Sequence, residues 1–221
     1  MTRKERIHKV LDYFITHQPI AETELHYHSS YQLMVAVILS AQCTDKRVNI
    51  ITPSFFARFP DIQSLAYAEF EQVFPLIRSC SYPNNKTRHL IGMARYVTEN
   101  FSGEIPSERD MLQQIPGVGR KTANVIAAVI FKKPVMAVDT HVFRVSARLG
   151  IALKAKNPLE TEKQLTEQIP PELIPTAHHW LILHGRYICK ARRPLCQECG
   201  LKDFCRFYAS LTSLSGKERK E

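Results

Sequence analysis

Apolar residues recur along this chain at the spacing of helical faces. Ile7, Val10, Leu11 and Phe14 share one face of a helix predicted over 3–16, and charged residues fill the other positions. Residues 30–42, SYQLMVAVILSAQ, are apolar almost all round, which predicts a helix buried in a domain centre. A buried strand is the alternative there, and length favours the helix. Further helices are predicted over 46–58, 61–66, 69–76, 84–100 and 107–114, separated by Pro60, Pro75, Pro83 and Pro106. Another begins near Arg120. Asp139 then stands as a candidate N-cap before an apolar stripe at Val142, Val145 and Leu149, with Gly150 at the stop position. Helices over 158–168 and 172–188 follow. With eight glycines and no Asn-Gly or Asp-Gly pair, tight hairpin signals are missing, and the pattern predicts an all-α protein.

A chain of 221 residues with 44% apolar content supports one large core or two modest ones, and two small lobes are expected. The net charge of +9 is spread along the sequence and favours a polyanionic partner such as nucleic acid. No apolar run approaches the roughly 20 residues that cross a bilayer. The stretch MTRKERIHKVLDYF is amphipathic and charged, unlike a signal peptide, so a soluble cytoplasmic protein without membrane association is expected. The lysine- and glutamate-rich tail over 214–221 is expected to be disordered.

The stretch LQQIPGVGRKTANVIAAV, residues 112–129, carries the first candidate chemistry. A phosphate-binding Walker loop is excluded, because Arg120 separates Gly119 from Lys121 and position 114 is Gln. The dinucleotide fingerprint also fails, since Thr122 stands where its third glycine belongs and no strand is predicted upstream. What remains is a helix, the turn Pro116-Gly117-Val118-Gly119, and a second helix from about Arg120. Glycines permit left-handed backbone and close approach, and the unpaired N–H groups of the new helix attract an anion; a DNA phosphate is the leading candidate. An ordinary helical corner without a ligand is the alternative.

Of six cysteines, Cys43 and Cys80 stand alone and read as buried small hydrophobes. Cys189, Cys196, Cys199 and Cys205 crowd together, with six, two and five residues between them. This spacing suits reduced thiolates around one centre, and by itself permits either a structural zinc or an iron–sulfur cluster. Lys190, Arg192 and Arg193 lie between the first two and form a basic loop suited to phosphate neutralisation, or simply a solvated charge run.

The turn and its helix closely resemble the helix-hairpin-helix of DNA-repair glycosylases of the endonuclease III family. LSAQCTDKRVN at 39–49, VDTHVFRV at 138–145, HHWLILHGRYIC at 178–189 and the cysteine spacing match the same family in the same order. The resemblance covers most of residues 20–208. It implies a helical barrel domain over 24–134 carrying the hairpin, a discontinuous cluster domain from 1–23 and 135–213, and a DNA cleft between two lobes. It also implies a [4Fe–4S] cluster on the four cysteines.

The implied activity is a bifunctional DNA glycosylase and AP lyase acting, as a monomer, on oxidised or ring-saturated pyrimidines and abasic sites in double-stranded DNA. Lys121 would attack the anomeric carbon, displace the base and form a Schiff base, after which β-elimination cuts the strand on the 3′ side. A lysine amine attacks only when neutral, and the first helical turn beside Arg120 disfavours the ammonium form. Asp139 would activate the nucleophile or stabilise the cationic sugar. From the residues alone, Lys121 as a phosphate contact and Asp139 as a plain helix cap are the alternatives. By the same resemblance, Gln42 enters the gap left by the extruded nucleotide, and Tyr82 occupies the wedge position where many relatives carry a leucine. That changed loop, Cys80-Ser81-Tyr82-Pro83, leaves opposite-base preference open. His141 is expected near the sugar or phosphate, or as a structural hydrogen-bonding group. Two other activities stay open: an adenine-mismatch glycosylase, disfavoured by Lys121, and a DNA-binding module without catalysis.

Overall fold

A computed structural model describes residues 1–215, and every regular element among them is helical. The chain divides into two compact units, one formed by 24–133 and the other by 1–23 with the segment from 134 onward.

The continuous unit is built around α2, Ser30–Ser40, whose residues 33–39 are all buried. Ser29 caps it by accepting the Gln32 N–H. This helix ends two residues earlier than its apolar run predicts, because Gln42 turns into left-handed backbone at φ 54°. Around it lie α3 (Asp45–Arg58), α4 (Ile62–Ala66), α5 (Phe70–Ile77) and α6 (Pro83–Phe101). Pro75 does not separate helices, as its sequence position suggested; it lies inside α5, where Glu71, whose carbonyl loses its partner, is exposed to water. Pro83 opens α6 at its first turn, a position that needs no N–H. The helix predicted over 107–114 shrinks to α7, Arg109–Leu112. Its last residues form tight turns through Gln114 N–H to Met111 O and Ile115 N–H to Leu112 O. The second helix of the hairpin is α8, Arg120–Val129, buried from Ala123 to Val129.

The discontinuous unit joins the chain's beginning to its later helices. A reciprocal cap between Thr2 and Glu5 starts α1, Arg3–His17. Its stripe of Ile7, Val10, Leu11 and Phe14 buries into the same core as Val142, Val145, Leu165 and Trp180. Phe14 stacks on Trp180 at 5.5 Å, and the indole N–H donates to Gln18 O at 2.6 Å. Arg3 and Arg6 donate to the carbonyls of Ile151 and Phe204, both at 2.9 Å, so α1 is tied to segments almost 150 and 200 residues away. The other helices are α9 (Thr140–Leu149), α10 (Pro158–Thr166), α11 (Ile174–Tyr187) and α12 (Arg206–Ser215). Gly150 ends α9 with φ 80°. The helix predicted from 172 begins instead as a tight turn, Pro171–Leu173, before α11. No periodic signal predicted α12; it overlaps the first two positions of the expected disordered tail, and residues 216–221 lie outside the described chain. Gly185 lets α9 approach α11, since a Cβ there would meet His141 Cβ at 2.9 Å.

Candidate nucleic-acid interface and cluster site

In the hairpin, the two glycines do different things. Gly117 takes φ 80°, and a Cβ on it would meet His89 Cβ at 2.7 Å. Gly119 is not left-handed. It is the extended N-cap of α8, offers no side-chain cap, and has nothing within 4 Å of where its Cβ would stand. Val118 lies between them, buried at 4%, with its N–H donating to Ile115 O at 3.0 Å. The side chain of Val118 thus anchors the turn, while Gly119, Arg120 and Lys121 are exposed. The start of α8 has no side-chain cap and carries two exposed cations, Arg120 and Lys121.

Two other exposed loops of this unit carry Gln42 and Tyr82. Both residues hold left-handed backbone, with φ 54° and 56°, and Tyr82 is 62% exposed. A non-glycine residue in this region carries strain of order 1 kcal/mol or more, and Ser102, Lys132 and Lys154 share the same conformation. The cysteines of these loops also meet: Cys43 Sγ lies 3.6 Å from Cys80 Sγ. Cys80 is buried as expected, whereas Cys43 is only half-buried.

In the discontinuous unit, Asp139 is the N-cap of α9, its Oδ1 accepting the Val142 N–H at 2.8 Å. One carboxylate oxygen thus starts the helix. His141 Nδ1 lies 3.2 Å from Arg144 Nη2, and the same Nη2 donates to Gly185 O at 2.9 Å. Arg144 Nε also donates to Cys189 O at 3.1 Å. Sequence reasoning passed over Arg144 and Arg148, which look like surface cations on α9. Arg148 donates to the carbonyls of Lys190 and Ala191 at 2.7 and 2.8 Å, lies 3.5 Å from Cys189 Sγ, and stacks over Phe207. It therefore shapes the loop in which Lys190, Arg192 and Arg193 are exposed.

Cys189, Cys196, Cys199 and Cys205 line one cavity with Leu149, His184 and Ile188. Two tight turns, Cys196–Glu198 and Lys202–Phe204, bring the later cysteines round. Burial pushes the Cys199 thiol up to about 11 and raises those of Cys196 and Cys205. Burial also drives the His184 imidazole down to about 4, so it adds no charge, and its Nε2 lies 3.6 Å from Cys199 Sγ. Four thiolates fit such a cavity only with metal cations among them. Four cysteines around one cavity fit a metal centre bound by four thiolates, either a zinc ion or an iron–sulfur cluster.

Residues 35–171 match the model of the HhH-GPD superfamily base excision DNA repair proteins, and residues 189–205 match the iron–sulfur binding domain of endonuclease III. Endonuclease III of Rickettsia conorii is 42% identical over 93% of this chain and 97% of its own length. That of Bacillus subtilis is 44% identical over 85% and 86%. The structure of a trapped endonuclease III–DNA covalent intermediate superposes with a TM-score of 0.90 at 40% identity, covering 96% of this chain and 100% of that one. With the hairpin, the cysteine cavity and these matches over nearly its whole length, the chain belongs to the endonuclease III family of HhH-GPD base excision repair proteins, which carries a [4Fe–4S] cluster.

Proposed function

We propose that this chain is a bifunctional DNA glycosylase and AP lyase that removes oxidised or ring-saturated pyrimidines from double-stranded DNA, acting as a monomer in the cytoplasm. The observation that carries the reading is Lys121: an exposed amine in the first turn of α8, next to an uncapped helix start that can hold a phosphate. Held so, the neutral amine attacks the anomeric carbon of the flipped nucleotide, and the bond to the base breaks. The sugar ring opens to a Schiff base on Nζ. Loss of a proton from the carbon beside it then expels the 3′ phosphate by β-elimination.

Asp139 supplies negative charge as the sugar becomes cationic. Gln42 and Tyr82, both exposed, fill the space the nucleotide vacates. The backbone of Gly117 and Gly119, with Arg120, takes the phosphate, and Val118 holds the turn. His141, braced by Arg144, contacts the same strand. Lys190, Arg192 and Arg193 add phosphate contacts. Cys189, Cys196, Cys199 and Cys205 hold the cluster, which organises this basic loop when bound.

Borohydride trapping on duplex DNA with a thymine glycol or an abasic site tests the central step. The cluster-loaded protein is expected to crosslink covalently, and Lys121→Gln is expected to bind without crosslinking or cutting. Binding by the parent without either product would leave a DNA-binding module or a monofunctional glycosylase.

A further inference from the structure

The pair Cys43 and Cys80 takes no part in the activity described above. Their sulfurs lie 3.6 Å apart on segments separated by 37 residues, one just before α3 and the other between α5 and α6. Each backbone is pinned by its N–H, Cys43 to Ser40 O at 3.0 Å and Cys80 to Ile77 O at 2.9 Å, so the sulfurs face one another from anchored turns. A disulfide needs an S–S distance of about 2.05 Å, so roughly 1.5 Å of closure separates the dithiol from the bond.

A buried cation also acts on the pair. Lys86 is only 4% exposed, and its Nζ donates to Leu39 O at 2.7 Å. Its charge, with that of Arg47, lowers the proton affinity of Cys80, although burial and the neighbouring Cys43 outweigh both and push that thiol up to about 11. Cys43 is half-buried and Cys80 buried, so Cys43 is the more accessible of the two.

We propose that Cys43 and Cys80 are a redox-responsive dithiol that closes to a disulfide by exchange with a low-molecular-weight disulfide, tying the loop of Gln42 to the loop of Tyr82. The Cys43 sulfur, having given its proton to solvent, attacks one sulfur of the oxidant. One small thiolate leaves and a mixed disulfide forms on Cys43. The deprotonated Cys80 sulfur then attacks Cys43 Sγ, forming the protein disulfide and expelling the second small thiolate. Two protein thiols are oxidised, one small disulfide is reduced to two thiols, and the two released protons end on those thiols. A dithiol reductant reverses both steps.

Gln42 directly precedes Cys43, and Tyr82 lies two residues after Cys80. The bond therefore restrains both strained residues. Its consequence for DNA rests on the proposed roles of Gln42 and Tyr82; the bond itself does not.

The cluster-loaded protein is to be treated with glutathione disulfide, alkylated, digested and mapped by mass spectrometry, with the cluster absorbance followed throughout. A Cys43–Cys80 linked peptide pair that is absent in Cys43→Ala and in Cys80→Ala and disappears with dithiothreitol is the expected result. A mixed disulfide that persists on Cys43, or links only to the cysteines of 189–205 or to a second molecule, overturns the proposal. Affinity for a lesion-bearing duplex is measured on the same samples. With the bond formed, it is expected to fall about tenfold, the size of one base–aromatic stacking interaction. Unchanged affinity with the bond in place would overturn the gap-filling roles of Gln42 and Tyr82, and leave the dithiol standing.

Discussion

Asp139 Oδ1 accepts the backbone N–H of Val142 at 2.8 Å, so the carboxylate proposed to assist base loss also starts helix α9. Asparagine keeps the cap and removes the charge, whereas alanine removes both. Asp139→Asn is expected to melt close to the parent and to lose most excision activity. Asp139→Ala is expected to lose about 1 kcal/mol as well, or roughly 2–4 °C. Thermal melts beside single-turnover excision separate the two roles; equal activity in Asp139→Asn and the parent would leave only the cap.

Gly117 and Gly119 predict opposite responses to the same methyl group. Gly117→Ala forces a Cβ into φ 80° and against His89, and is expected to destabilise the fold by about 1–2 kcal/mol. Gly119→Ala meets nothing within 4 Å, so its melting temperature should stay near the parent's while binding of an undamaged duplex weakens. Denaturant unfolding and fluorescence anisotropy, run on both variants, check the split.

Arg148 holds the carbonyls of Lys190 and Ala191, and the exposed Arg192 and Arg193 follow in the same loop. Removing a cation that neutralises one phosphate should make the slope of log affinity against log salt shallower by about 0.9. Arg192→Ala with Arg193→Ala is therefore expected to flatten the slope by roughly 1.8 and leave the cluster spectrum unchanged. Arg148→Ala should flatten the slope too, and also speed cluster loss under oxidation, because a bond to Cys189 Sγ and the stacking on Phe207 go with it. Salt titrations and decay of the visible absorbance measure these effects.

Tyr82 sits at φ 56° and is 62% exposed, which is costly for a residue that only caps α6. Tyr82→Gly relieves the backbone strain, partly offset by about 0.5–1 kcal/mol of unfolded-chain entropy. Its melting temperature should match or slightly exceed the parent's. Affinity for a lesion duplex should fall by about 1–3 kcal/mol if the ring stacks in the gap. A variant that binds lesion DNA as well as the parent would remove Tyr82 from the interface.

Much of this protein is legible in local patterns. Helical periodicity over 3–16, the cap at Asp139, the stop at Gly150 and the run after Arg120 depend on neighbours three or four residues away, and the helices form there. Motif order was likewise enough to identify the family. Helix ends were less legible where a loop residue takes an unusual backbone conformation, as at Gln42, or where a short turn replaces helix, as after Leu112. Only the folded chain decided the rest. Arg144 and Arg148 become braces for the loop after Cys189, and Cys43 meets Cys80, because helix packing brings together residues 37 to 45 positions apart. Such pairings leave no period in the sequence, since they depend on where whole helices bury their apolar faces.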